Sequence, residues 1–329
     1  MDLSIIIVSW RSLEDLRVCL KSVYSHTRNL SYEVIVVDNA SGDGTESAIR
    51  TEFPRVDFIQ SLHNLGFAKA NNLGYLKSSG DILVFLNPDT EITEDVFARM
   101  AAHLRAESRV GAVGARLLNK DGSLQTSCVQ AFPTILNQLL DSNALRRMFP
   151  NSRLWGMKAL FSPSATPADV EAISGACFVV KRSVFEEIGL FTETYFMYVE
   201  DLDLSYKIRR AGHAIHYMPD CSVIHYGGRS STKQGTSFVS LHQRESLRRF
   251  FLSTRGEAYG NCYRAAIGAL SALRIVCVVL AAPFLAFRKT DTRSILRKWL
   301  ANFQWAIGQG SVLPATGGSV AAASPRKAS

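Results

Sequence analysis

Gly80-Asp81-Ile82-Leu83-Val84-Phe85-Leu86-Asn87-Pro88-Asp89-Thr90 is the stretch whose reading decides the fold. Its apolar residues run without a polar break from Ile82 and stop at a turn that contains proline. A strand apolar on both faces is one that is covered on both faces, as in a parallel sheet between helices. Leu3–Val8 and Val34–Val37 repeat the pattern upstream, with further strands expected near Val56–Gln60 and Val110–Val113. Helical patterns lie between them. Ser12 stands as a cap before Leu13, Leu16, Leu20 and Val23, which share one helix face. Other helices are expected from about Thr45, over Phe67–Ser78 and over Glu94–Glu107. Strand–helix alternation predicts an α/β fold with a mostly parallel, Rossmann-like sheet flanked by helices. Ligands of such sheets sit beyond the carboxyl ends of the strands. The polar clusters at 38–44 and 87–89 follow two of these strands and are therefore expected on one edge.

Charge divides the chain of 329 residues unevenly. His242–Ser329 carries 13 Lys or Arg against 3 Asp or Glu, a net +10, and residues 1–241 carry a net −2. The cations of the C-terminal part flank the apolar run Ala265–Phe287, which points to an anionic membrane surface. No zinc-finger spacing or other nucleic-acid motif accompanies them, so no nucleic-acid partner is expected. Arg274 and Pro283 interrupt the run, so it reads as a segment lying in the interface; a true span and a buried helical hairpin are the alternatives. The organisation expected is a catalytic domain over 1–241, a basic and apolar helical appendage over 242–307, and a disordered Gly/Ala/Ser-rich tail over 308–329. Six scattered cysteines without a CxxC read as free thiols, and the start MDLSIIIVSW reads as a first strand and not a signal peptide. Both features predict the cytoplasmic face of the inner or plasma membrane, with peripheral or monotopic attachment.

Several positions carry the right chemistry for a site, each with a plainer reading beside it. Asp38 ends a strand and can accept hydrogen bonds from a nucleobase or ribose, or simply bond its own turn. Asn64-Leu65-Gly66-Phe67 with Asn71 forms a polar, glycine-bearing helix start suited to a diphosphate, or ordinary capping. Asp89, on the rigid Asn87-Pro88-Asp89 turn, can hold a hard divalent cation that neutralises a diphosphate leaving group, or be a turn residue only. Glu200 and Asp201 follow the aromatic run Tyr195–Val199, where charge is costly to bury without a role. A carboxylate there can deprotonate an acceptor hydroxyl; complementing the helix dipole is the alternative. His225 is a metal ligand or a satisfied core histidine.

VIVVDNASGDGT, NLGFAKANNLG, GDILVFLNPDT, ISGACFVVKR, FMYVEDLDLSYKIRRAG and VIHYGGRS occur in this order and together resemble family 2 glycosyltransferases, more closely the bacterial rhamnosyltransferase branch. The likeness covers roughly residues 3–230. It implies the glycosyltransferase A fold and an inverting single displacement that uses Mg²⁺ or Mn²⁺. It also implies Asp201 as general base supported by Glu200, and Asp38 with the Asn64–Asn71 segment around the nucleotide. Asp89 and His225 become metal ligands, with Asn87, Gly175 and Ala176 near the donor sugar or acceptor. Two departures stand out. Asn87 replaces the first acidic residue of the family's metal motif, which predicts weaker metal binding, held largely by the diphosphate and Asp89. Arg11 stands where many relatives carry Asn, and its cation either reaches the nucleotide phosphates or has no consequence. The donor expected is dTDP-rhamnose and the acceptor a lipid-linked saccharide in envelope polysaccharide synthesis. A UDP-sugar donor and a non-catalytic sugar-nucleotide-binding partner are the alternatives. A nicotinamide-dependent dehydrogenase is disfavoured, because Ser9-Trp10-Arg11-Ser12 follows the first strand with no GxGxxG.

Overall fold

Unbroken β-branched runs leave no face for water, and the core is built from them. The computed structural model describes residues 1–140, 145, 148–149, 152, 166–227, 236–285 and 292–309. Parallel strands β1 (Leu3–Ser9), β2 (Tyr32–Asp38), β3 (Val56–Gln60) and β4 (Ile82–Leu86) alternate with α1 (Leu13–His26), α2 (Thr45–Glu52) and α3 (Phe67–Tyr75). Every residue of β1 and β4 is buried. Then follow β5 (Thr90–Ile92), α4 (Val96–Ala106), β6 (Val110–Leu118), β7 (Val129–Gln130) and α5 (Ile135–Leu140). After the undescribed segment come β8 (Ala168–Asp169), β9 (Ala172–Ile173), β10 (Cys177–Lys181), α6 (Arg182–Glu187), α7 (Glu200–Arg210) and β11 (Ala214–His225). Among the described residues the main sheet has nine strands in the order β3-β2-β1-β4-β10-β6-β11-β5, with β8 paired to β11. Its strands mostly run one way; β10, β5 and β8 oppose them. β7 and β9 form a separate antiparallel pair.

Two features of the sheet escape a reading by apolar runs. β10 is inserted antiparallel between β4 and β6, which brings its start, Ser174–Ala176, to the carboxyl edge of β4. The Asn87 N–H donates to the Ala176 carbonyl at 3.0 Å and locks that junction. β11 runs from Ala214 to His225. Beyond a register shift between Met218 and Ser222 the strand stays paired with β6 through Ile224 and takes β5 on its other side. Ser12 sits at the start of α1, but its hydroxyl bonds Ser9 at 3.0 Å and makes no cap hydrogen bond.

Among the described residues the C-terminal part forms three helices: α8 (Thr236–Arg255), α9 (Glu257–Leu285) and α10 (Thr292–Ala306). The domain boundary expected between 241 and 242 falls inside α8. Ser240 reaches Asn302 at 3.0 Å and Glu245 accepts from the Trp305 indole at 3.0 Å, which ties α8 to α10. The α9 helix is not broken at Arg274, whose guanidinium lies over the Trp299 ring of α10. Within it Glu257–Ala281 is long and apolar enough to cross a membrane, with a mean hydropathy of 1.9. Leu273, Val276, Val279 and Leu280 of this helix are exposed. From residue 310 the tail expected to be disordered lies outside the described residues.

Gly80, just before β4, has no room for a side chain. A Cβ there would lie 2.6 Å from the backbone of Leu3 and Ser4. Gly80→Ala should therefore destabilise the fold by at least the 1–3 kcal/mol typical of overpacking, read as a lower urea midpoint at unchanged slope.

Candidate active site

The carboxyl edge of β1, β2 and β4, the start of β10 and the start of α7 enclose a cavity of about 510 Å³. Asn64, Gly66, Asn87, Asp89, Gly175, Ala176, Glu200, Asp201 and His225 all line it, although they are spread over 162 positions of sequence. Asp38, Asn71 and Arg11 do not line it. Both oxygens of Asp38 are engaged in its own turn, by the Ser41 hydroxyl at 2.5 Å, the Ser41 N–H at 3.0 Å and the Gln60 amide at 2.9 Å. Asn71 is buried in α3 and donates to the Phe67 carbonyl at 3.0 Å. The Arg11 guanidinium lies over the Trp10 ring, 5.1 Å from its centre. Trp10 itself lines the cavity, as does Asn39.

Asn39 shapes the loop that begins α3. Its amide donates to Asn64 Oδ1 at 2.9 Å and to the Gly66 carbonyl at 3.1 Å, while its Oδ1 accepts from the Leu65 N–H at 2.7 Å. Gly66 has φ +79°, and a Cβ would lie 2.4 Å from the Phe196 carbonyl oxygen. Only glycine permits that approach.

Pairing of β11 with β5 sets His225 opposite Thr90 and so beside Asp89. His225 Nε2 is 3.3 Å from Asp89 Oδ1 and 3.4 Å from the Asn87 amide. His225 Nδ1 lies 2.8 Å from Gln125 Oε1. The Gln125 amide is oriented by two acceptors, the His225 carbonyl at 2.5 Å and Asn119 Oδ1 at 2.8 Å. A neutral His225 thus carries its proton on Nδ1 and turns its Nε2 lone pair toward Asp89. Neighbouring ligands at ~2.1 Å on an octahedral ion are ~3 Å apart, so the pair has the spacing and donor chemistry for Mg²⁺ or Mn²⁺. Among the described residues no group of three or more His, Cys, Asp or Glu could hold a metal. Oxygens of a bound diphosphate and of water would have to complete the shell.

In the same cavity, Asp201 Oδ2 accepts from the Gly175 N–H at 3.0 Å and the Gln130 amide at 3.2 Å. Burial pushes the Asp201 carboxyl above the ordinary range, and these hydrogen bonds oppose the shift. Burial and the neighbouring Asp201 charge push Glu200 up to about 8. Glu200 Oε2 is buried and has no hydrogen-bond partner among the described residues. One carboxyl thus keeps its proton while its neighbour is held by donors, an arrangement that separates an acid from a base.

Residues 4–189 match the profile of Glycosyl transferase family 2. The chain belongs to this family. It is 28% identical over 240 residues to the N-acetylglucosaminyl-diphospho-decaprenol L-rhamnosyltransferase of Mycobacterium tuberculosis, covering 68% of this chain and 75% of that one. It is 24% identical over 224 residues to Rhamnosyltransferase WbbL of Escherichia coli, covering 66% and 81%. Among solved structures, the mannosyltransferase PcManGT from Pyrobaculum calidifontis, in complex with GDP-Man and Mn²⁺, superposes with a TM-score of 0.56. Identity there is 19%, over 93% of this chain and 86% of that one. The fold is the glycosyltransferase A fold, and the glycosyltransferase assignment agrees with the resemblance drawn from the six sequence blocks.

The loop leading to the glycosyltransferase's carboxyl pair is unusual. Tyr198 and Val199 both have positive φ, +68° and +72°. For a β-branched residue that conformation is a true outlier, and each such position costs about 1–3 kcal/mol. The surroundings hold it. The Phe67 N–H donates to the Phe196 carbonyl at 2.9 Å, from the Asn64–Gly66 side. From α8, the Ser246 hydroxyl donates to the Met197 carbonyl at 2.9 Å and Arg249 to the Thr194 carbonyl at 2.6 Å. Asp203 accepts from Thr192 at 2.6 Å and from Tyr195 at 3.3 Å. Asn39, Gln125, Gln130, Ser246 and Arg249 were not singled out from the sequence. Asn39 adjoins Asp38, which gave a signal; the other four act through contacts with distant residues and gave none.

Two outcomes follow from this geometry. Arg249→Met with Ser246→Ala should lower turnover about tenfold or more while nucleoside-diphosphate affinity holds, because the loop loses its outer supports. Equilibrium binding beside steady-state kinetics checks it. For Glu200, the folded state retains a proton that the unfolded chain releases near pH 4.3. Its contribution is fully present below that pH and is lost as pH rises through about 8. The melting temperature of wild type should therefore fall from pH 5 to pH 9 more than that of Glu200→Gln. Parallel curves for the two proteins in calorimetry would contradict the assignment.

Proposed function

We propose that the protein transfers a sugar, L-rhamnose from dTDP-rhamnose, to a lipid-linked saccharide at the cytoplasmic face of a membrane, with inversion at the anomeric carbon. The observation that carries the reading is the placement of Asp201 in the same cavity as Asp89 and His225. Names of the rhamnosyltransferase relatives support the sugar, and the decaprenol-linked substrate named for one of them supports the acceptor. Exposed Leu273, Val276, Val279 and Leu280 on α9, with the surrounding cations, support attachment to an anionic surface.

In this mechanism Asp201 takes the proton of the acceptor hydroxyl. The oxygen bonds to the anomeric carbon of the donor as the bond from that carbon to the phosphate oxygen breaks, and the electron pair leaves with the diphosphate. Asp89 and His225 would hold a divalent cation, which would offset the charge of the diphosphate. Asn39, Asn64 and Trp10 face the nucleoside end. Gly175 and Gln130 keep Asp201 turned toward the acceptor. Glu200, neutral at pH 7, spares the site a second charge beside the base.

Turnover of a panel of dTDP- and UDP-sugars, with and without Mn²⁺, tests this reading in wild type and Asp201→Asn. Selective use of dTDP-rhamnose is expected, with a loss of about a hundredfold or more in the variant and nucleotide binding retained. Preference for a UDP-sugar would replace the donor. Equal turnover by wild type and variant would remove Asp201 from the role of base.

A further inference from the structure

Past Asp201 the cavity has a wall that the donor chemistry leaves unused. Gln130, Ala131 and Pro133 supply it from β7 and the turn after it, Gln138 from α5, and Gln243 and Leu247 from α8. We infer that this wall seats the acceptor as an uncharged saccharide, and that α8 of the C-terminal part is the element that selects it. The inference rests on the glycosyl-transfer reading and extends it to the other substrate.

The chemistry of the wall points to that class. Its polar side chains are carboxamides, each able to donate and accept, which matches sugar hydroxyls. Ala131, Pro133 and Leu247 offer the apolar area that covers C–H faces of a ring. None of the described residues lining the cavity is Lys or Arg, while Glu200 and Asp201 border this wall. Among the described residues a phosphate or uronate seated there would meet carboxylates and no cation, which favours an uncharged ring at this wall. Gln243 is exposed and has no hydrogen-bond partner among the described residues, so its amide is available. Gln130 donates to Asp201 Oδ2 at 3.2 Å through its Nε2, which ties the wall to the base.

The fold also fixes the distance between wall and base. Gln243 and Leu247 lie four residues apart and so share one stripe of α8. Ser246 and Arg249 of the same helix hold the Thr194–Met197 loop that carries the base. The helix therefore carries the acceptor wall on one stripe and the support of the base loop on another.

The test uses the full chain, the donor that the panel selects, and a short-chain polyprenyl diphospho-N-acetylglucosamine as acceptor probe. Gln243→Ala and Gln138→Ala should each raise the KM for the probe about tenfold, the effect of one lost hydrogen bond. The KM for donor and the Kd for the nucleoside diphosphate should hold. A probe with glucuronic acid as its sugar should compete at least tenfold more weakly than the neutral one. An unchanged acceptor KM in both variants, a donor KM that rises in step, or equal binding of the acidic probe would overturn the subsite. Donor turnover by wild type separates these results from failure of the transfer reading, because wild type inactive on every donor would refute that reading and the subsite with it.

Discussion

Two bulky residues held in a left-handed backbone are the constraint on which the catalytic end depends. Tyr198 and Val199 resist that conformation, yet it turns the chain sharply enough to start α7 with its first carboxyls pointing into the cavity. Strain of this kind persists only where neighbours over-determine it. Here the neighbours come from three directions: the Gly66–Phe67 backbone, the Asp203 carboxylate and the α8 side chains. The Asn64–Phe67 segment and the loop that leads to Asp201 are consequently joined by main-chain contact.

Electrostatics gives the cavity a second constraint. Asp89, Glu200 and Asp201 line it, and no Lys or Arg among the described residues does. A dianionic diphosphate would be repelled from such a site unless a cation came with it. The Asp89–His225 spacing suits that cation, and Asn87 beside them adds no charge. Glu200 eases the same problem by retaining its proton.

Legibility in the sequence followed locality. Strands β1 to β4 and their helices were readable because Leu3–Val8 and Ile82–Leu86 state their burial in consecutive residues. The ends of those strands pointed to Asn64, Asp89 and Asn87 for the same reason. β5 is three residues long and too short to show a period, and the second half of β11 is marked only by its partner in the sheet. His225 was therefore named without a visible cause for its nearness to Asp89. The resemblance to a family supplied the grouping, and the pairing of β5 with β11 supplied its physical reason. Gln125, Gln130 and Ser246 could not be found by pattern, because an amide or hydroxyl reveals nothing until its partner, 49 to 100 positions away, is in place. The appendage read as separate because its charge differs, although its first helix completes the cavity wall.

The insertion of β10 between β4 and β6 has a consequence for how the protein is made. During synthesis β6 leaves the ribosome some 60 residues ahead of the strand that joins it to β4. Until then both present bare hydrogen-bonding edges, the form of chain most open to mispairing with another. The nascent polypeptide therefore cannot complete a stable amino-terminal half and add the remainder later. Its sheet closes only late, when the chain has reached first Lys181 and then the end of β11 at His225, and a holding chaperone has most to contribute in the interval before that.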